Sequence, residues 1–375
     1  MSAHDTASPA WLDDLARAAY RAERDGRTLK FMEICGTHTV SAFRCGLHSL
    51  MPDNVHLLSG PGCPVCVTAQ GDIDQIIALA DRPEVTLFTY GDMLRVTGTN
   101  RKSLERSRAR GADVRVAFST LDAVDYAAAH PDRQVVFAAV GFETTTPATA
   151  AAVLEAESRA VGNFSVYAAH KLVMPAMEAL LQAGDVQVDG FLCPGHVAVI
   201  IGADAFRPIV DDYKLPCVVV GFEDWQIGQA VAQLATMAID GTPALINQYP
   251  QVVSPGGNAK ARELIDRVFE PAEVPWRGLA RVPASGLAVR ETYAAFDARV
   301  RFGLPDLDVP EPKGCRCGDV ITGRCGPADC KLFGTACTPS NPIGPCMVSS
   351  EGTCQAHFKY ARRRAVPLAV AGGAR

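Results

Sequence analysis

The sequence predicts an α/β fold of two similar parallel-sheet domains facing a cleft, plus a small irregular and helical domain built around cysteines. Short runs rich in β-branched and aromatic residues alternate with helical stretches at the spacing of a parallel sheet covered on both faces. One strand ending occurs twice, as Val140-Gly141-Phe142-Glu143 and Val220-Gly221-Phe222-Glu223. Seven of the thirteen cysteines fall between Cys315 and Cys354. With 375 residues, 48% hydrophobic and 21% charged, the chain can bury two or three separate cores.

Trp11, Leu12, Leu15, Ala18 and Ala19 share one face of a helix over residues 11–24, which must dock on something. The cysteine domain is its expected seat, and residues 1–30 form that unit. An apolar run from Phe31 then ends in the strand-to-helix turn Cys35-Gly36-Thr37-His38-Thr39. Strands are predicted at 55–59, 85–90, 114–118 and 135–140, with helices near 72–80, 101–110 and 121–129; together they make the first domain, residues 31–147. The second domain, residues 148–289, has strands at 164–169, 190–193, 217–220 and 244–246. Its helices lie near 173–183, 203–210 and 225–239, and the Pro- and Gly-rich stretch 250–290 reads as connection. Residues 290–375 form the cysteine domain and tail.

Composition excludes several classes. The net charge is −5, and Arg362-Arg363-Arg364 is the only long basic run, so a nucleic-acid role has no support. No stretch of about eighteen apolar residues occurs and residues 1–10 do not resemble a secretory leader, so a cytoplasmic protein without a membrane partner is expected. Neither Gly-x-Gly-x-x-Gly nor Gly-x-x-x-x-Gly-Lys-Ser/Thr is present, so no nucleotide site is predicted.

The cysteine segment is short and poor in aliphatic residues, and it buries too little area to order itself without cross-links. Cys317, Cys330, Cys337 and Cys354 are separated by twelve, six and sixteen residues on a backbone turned by prolines. Four thiolates so disposed suit a [4Fe–4S] cluster. The close CxxC pairs usual for structural zinc are missing here, and single cysteines through the body speak against a disulfide framework; both remain alternatives. Cys346, in Gly344-Pro345-Cys346-Met347, is the first substitute ligand, with Cys315 and Cys325 as extras.

Gly60-Pro61-Gly62-Cys63-Pro64-Val65-Cys66 reads as a redox pair, since two thiols two residues apart at a strand end can close a small disulfide ring. Half of a zinc knuckle is the other option, but no second CxxC completes it. Cys35, with His38 three residues on, reads as a nucleophile or metal ligand; a small buried hydrophobe beside an unrelated His is the other reading, and the polar, Gly-containing turn is a poor place to hide a thiol. Cys45, Cys193 and Cys217 adjoin apolar residues and read as small buried hydrophobes. Glu143, His196 and Glu223 stand at strand ends, where they can move protons or hold a partner; Glu143 can equally cap a helix. A cluster gives one electron at a time and a disulfide takes two, so a cluster beside Cys63/Cys66 would reduce the pair in successive steps.

Cys35-Gly36-Thr37-His38, Gly62-Cys63-Pro64-Val65-Cys66, Gly141-Phe142-Glu143-Thr144-Thr145, Pro194-Gly195-His196 and the Cys317…Cys330…Cys337…Cys354 ladder with Gly344-Pro345-Cys346-Met347-Val348-Ser349 together resemble the hydrogenase maturation family HypD, over roughly residues 31–360. The resemblance implies two similar α/β domains with a cluster domain, and a complex with the small chaperone HypC. It implies an iron ion carried jointly while cyanide and carbon monoxide ligands are attached for the [NiFe]-hydrogenase active site. Cyanide would come from HypE, as a thiocyanate on its terminal cysteine. Carried onto this chain, Cys35 is a ligand of that transient iron, shared with the chaperone's N-terminal cysteine, and His38 supports the site. Cys63 and Cys66 are the dithiol/disulfide, and Cys317, Cys330, Cys337 and Cys354 hold the cluster. A stand-alone ferredoxin-dependent disulfide reductase is the other reading; it would leave Cys35-Gly36-Thr37-His38 without a part.

Overall fold

The computed structural model describes residues 9–361; the residues before and after, Arg362-Arg363-Arg364 among them, lie outside the described part. The chain begins in one sheet, leaves it for a second and then returns. β1 (Leu29–Glu33) and β2 (Val55–Ser59) pair first. β3 (Val85–Thr89), β4 (Asp113–Val116), β5 (Gln134–Gly141) and β6 (Phe164–His170) make a separate sheet in the order β4-β3-β5-β6. β7 (Gly190–Pro194), β8 (Cys217–Val220) and β9 (Leu245–Asn247) then complete the first sheet as β2-β1-β7-β8-β9. Every pairing in both sheets is parallel.

The two parallel-sheet domains agree with the prediction, but the boundaries 31–147 and 148–289 do not hold. β6 closes the sheet begun by β3, and β7, β8 and β9 rejoin β1. Residue pattern marks a strand and its buried faces; it carries no label for the sheet a strand enters, because every helical crossover between parallel strands gives the same local signal.

Alternation along each strand divides the interior. In β5, Val135, Phe137 and Ala139 face a core with Ala150 and Val153 of the helix Thr146–Ser158, while Val136, Ala138 and Val140 face the opposite way. In β1, Leu29 and Phe31 join one core and Met32 another. In β8, Val218 and Val220 divide from Cys217 and Val219 in the same manner. The inner faces of both sheets meet in one continuous core, which also takes in Cys317, Val320, Cys337, Cys346 and Met347. Cys193 and Cys217 lie fully buried there as ordinary apolar fillers.

The stretch 250–290 is more than connection. It holds the helix Ala259–Val268 and an antiparallel hairpin, β10 (Phe269–Pro275) and β11 (Arg281–Val289). Pro271, Pro275 and Pro283 hide these strands from propensity, and a register shift between Ala272 and Val274 marks where the ladder gives way. Bridges from Trp276 to Thr68 and from Gly286 to Lys171 lay the hairpin against the start of the helix Gln70–Ala80 and the end of β6. Beneath it, Asp72 is buried against Lys171 Nζ at 3.7 Å and the Tyr167 hydroxyl at 2.9 Å, and it pairs with Arg299.

The first helix, Ala10–Arg24, is amphipathic as predicted but does not sit on the cysteine segment. It packs along the helix Asp224–Asp240 of the first sheet, with Leu15, Ala18, Ala19 and Ala22 buried and Trp11 against Gly228. A hydrophobic stripe says that a helix docks, not where. No helix among the described residues is long and apolar enough to cross a membrane. Leu15 is 1% exposed, so Leu15→Ala is expected to lower stability by about 2–4 kcal/mol in denaturant unfolding. An unchanged midpoint would mean that the helix is not part of the folded core.

Candidate functional site

The carboxyl ends of neighbouring strands bring the predicted groups together. Cys35 follows β1 and is the N-cap of the helix Gly36–Arg44; Cys63 follows β2 and is the N-cap of the short helix Pro64–Val67. β1 and β2 end level, with Glu33 opposite Ser59. The two turns then touch: the Gly36 amide donates to the Gly62 carbonyl at 3.1 Å. A Cβ on Gly62 would collide with the backbone of Cys35, and one on Gly36 would lie 2.6 Å from Glu351 Cβ and 3.3 Å from Cys63 Cβ. These two glycines are requirements of close approach.

The polar turn does hide its thiol, contrary to expectation, because the segment 349–351 packs over it: Cys35 and His38 are both buried, and burial keeps both uncharged. The Cys35 thiol is pushed up to about 12, first by burial and then by the nearby Glu351 carboxyl, against backbone N–H groups of the helix start. His38 is held down to about 4, by burial first. His38 Nε2 bonds the Gly221 carbonyl at 2.9 Å, which makes it the donor and leaves Nδ1 as a buried lone pair without a hydrogen-bond partner. Phe222 contacts the His38 ring and stacks on His196 at 3.8 Å, so His196, after β7, joins the same site.

Cys63 and Cys66 form a disulfide with Cα atoms 5.2 Å apart. The cysteine segment closes over it. Ser349 Oγ lies 3.4 Å from Cys63 Sγ and donates to Asp92 Oδ2 at 3.0 Å, while Thr37 Oγ1 donates to Glu351 Oε1 at 2.6 Å.

Beyond that contact, Cys315, Cys317, Cys330, Cys337, Cys346 and Cys354 line one small cavity with Val320, Phe333 and Met347 as its apolar walls. All four predicted cluster residues are among them, and so are Cys346 and Cys315. Cys325 is turned away; with Cys45, which is exposed and not the buried filler predicted, it lines a larger groove beside β2. The neighbouring Cys317 thiol and burial hold Cys315 well above the ordinary thiol range, and burial raises Cys337. Backbone amides of Cys354 and Ile343 reach the sulfurs of Cys346 and Cys337 at 3.3 and 3.4 Å. Among the described residues no three ligating side chains stand ready around a single metal ion. The fit to a cluster rests on donor chemistry: six soft sulfur ligands face one cavity, which Val320, Phe333, Met347, Gly344 and Arg316 complete.

Residues 11–361 match the model of the family HypD, described as "Hydrogenase formation hypA family". This chain belongs to the HypD family. It is 46% identical over 358 residues to the hydrogenase maturation factor HypD of Rhizobium leguminosarum bv. viciae, covering 94% of this chain and 93% of that protein. It is likewise 46% identical over 362 residues to HypD of Azotobacter vinelandii, covering 95% of each. With HypD of Escherichia coli (strain K12) the identity is 42% over 345 residues, covering 92% of each. Hydrogenase maturation is therefore the process in which this HypD-family chain acts.

One group in this HypD-family site was not legible in the sequence. The Arg277 side chain is fully buried between the two sulfur stations: its amide donates to the Val67 carbonyl at 2.9 Å, and Nη2 donates to Gln70 Oε1 at 3.0 Å. Nε and Nη1 have no hydrogen-bond partner, and the nearest carboxylate, Glu311, is 3.7 Å from Nη1. Its charge acts on Cys315 and Cys317 in the direction that favours thiolate. Only a three-dimensional neighbourhood reveals this, because Trp276-Arg277-Gly278 carries no motif.

Glu143 bonds the start of a helix, though not of Thr146–Ser158, which it precedes. Its Oε1 accepts from the Val173 amide at 3.0 Å, at the start of the helix Val173–Ala183. Burial raises its pKa to about 7. The folded state thus prefers the protonated acid, a contribution present below the unfolded value of about 4.3 and lost as pH rises through about 7. Glu143→Gln keeps the acceptor and removes the titration. Between pH 5 and 8 the wild type should lose stability relative to Glu143→Gln by on the order of 3 kcal/mol; parallel stability curves would contradict the assignment.

Proposed function

We propose that this chain is the scaffold on which iron receives cyanide and carbon monoxide ligands during [NiFe]-hydrogenase maturation, in the cytoplasm, with a HypC-like chaperone and a HypE-like cyanide donor. The iron is cargo. Cys35 binds it as a thiolate, shared with a cysteine of the chaperone, and the buried His38 supports the site. What carries this proposal is the contact of the Cys35 turn with the Cys63–Cys66 turn at Gly36 and Gly62, by which cargo and redox pair share one wall.

The high proton affinity of Cys35 suits such a role. A buried thiol stays protonated and inert until a cation displaces its proton, so iron loading releases a proton and is favoured by rising pH. Freeing cyanide from a thiocyanate takes two electrons and leaves a thiolate. The Cys63/Cys66 dithiol can give both, shedding two protons as it closes to the disulfide. A [4Fe–4S] cluster, when held by Cys317, Cys330, Cys337 and Cys354, with Cys346 able to replace one of them, supplies single electrons. Arg277 favours thiolate on Cys317, and Ser349 and Glu351 fix the cysteine segment to both turns. A stand-alone disulfide reductase would leave Cys35 and the unpartnered His38 nitrogen without a part.

Infrared spectra of the complex isolated with the chaperone test this. Cys35→Ala is expected to lose the bands of iron-bound cyanide and carbon monoxide while keeping the visible absorbance of the cluster. Retention of the full set of bands would remove Cys35 from its role.

A further inference from the structure

Residues 95–110 have no part in the function proposed above, yet they carry Arg95, Arg101, Lys102, Arg106, Arg108 and Arg110 against one acidic residue, Glu105, in a chain of net charge −5. All six basic side chains are exposed. Among the described residues only Arg110 of the six has an ion-pair partner, Asp81 at 3.3 Å. An uncompensated basic face on an acidic protein is a standing field for an acidic partner.

Its position gives that field a purpose. Arg95 donates to the Pro339 carbonyl and Arg101 to Asn341 Oδ1, while Thr97 Oγ1 donates to the Pro342 carbonyl at 3.0 Å. The next amide, Ile343, donates to Cys337 Sγ at 3.4 Å, and a Cβ on Gly344 would lie 2.7 Å from Cys315 Sγ. Residues 338–343 therefore join two residues that line the cysteine cavity, Cys337 and Gly344, and Arg95, Thr97 and Arg101 bond that connection. Arg101 holds φ of 59°, a conformation that a long side chain adopts when its surroundings impose it.

We propose that this face docks a small acidic protein electron carrier. Docking here presupposes the electron supply described above, which needs a source outside the chain. Each visiting carrier is oxidised by one electron; two visits and two protons open the Cys63–Cys66 bond to two thiols. Electron-transfer complexes are small, steered by charge and weak, which suits a rim of arginines. No aromatic residue stands in the stretch, so nothing is offered for stacking nucleic-acid bases.

The test uses the full chain loaded with iron and sulfide, and an oxidised acidic [2Fe–2S] ferredoxin as probe, with binding followed by shifts of the ferredoxin's resonances. Wild type should bind at low ionic strength, with affinity falling roughly tenfold or more as salt passes about 0.1 M. Lys102→Glu/Arg106→Glu should weaken binding about tenfold or more and flatten its salt dependence, whereas Lys102→Arg/Arg106→Lys keeps both. Wild-type affinity in the charge-reversed variant overturns the proposal, as does a wild type that binds a DNA duplex but not the ferredoxin. Dithionite bleaching of the visible absorbance, measured on every sample, separates the two levels. Its absence overturns the cluster and the docking together, while intact bleaching with charge-insensitive binding overturns the docking alone.

Discussion

Gly36 and Gly62 let two strand-end turns and the segment 349–351 approach more closely than any side chain would permit, and the placement of all three groups of cysteines depends on that approach. The register of β1 against β2 sets it up. Adjacent parallel strands run about 4.8 Å apart, so turns leaving them at the same level must either diverge or touch. Here they touch, and the backbone bond from Gly36 to Gly62 fixes the contact. His196 after β7 and Gly221 after β8 complete a row along the carboxyl edge of one sheet, where open α/β sheets gather their chemistry.

Burial then decides what state those groups are in. Cys35 is a thiol and His38 a neutral imidazole because charge in that interior is costly. Elsewhere charge is tolerated only with partners. Asp72 is held by Lys171, Arg299 and the Tyr167 hydroxyl, and the group ties the helix after the Cys63–Cys66 disulfide to β6. Removing one member of such a buried set costs about 3–5 kcal/mol because the rest is left unpaired. Arg277 departs from that rule, with two nitrogens unpartnered beside the cysteine cavity. A buried cation so placed acts on Cys315 and Cys317 in the direction that favours thiolate.

Much of this was legible in the sequence, and the rest was hidden for definite reasons. The strand runs and the strand-end motifs, Cys35 to His38 and Cys63 to Cys66, could be placed because β-branched alternation and Gly-containing turns are local signals. The exchange of β7, β8 and β9 into the sheet of β1 could not be read, because the choice of sheet is made by packing over more than a hundred residues. The hairpin of β10 and β11 was masked by its prolines, and the first helix showed a face but not its seat on Asp224–Asp240. Ser349, Glu351 and Asp92 around the Cys63–Cys66 disulfide are held by long-range hydrogen bonds that leave no trace in spacing.

An anaerobic reductive titration of the iron-loaded protein tests most directly whether the sulfur groups form one electron path. Uptake of about three electron equivalents per chain is expected, one by the cluster and two by the Cys63–Cys66 bond, falling to about one in Cys63→Ser. Uptake of about one equivalent by the wild type, with its disulfide intact at the end, would contradict it.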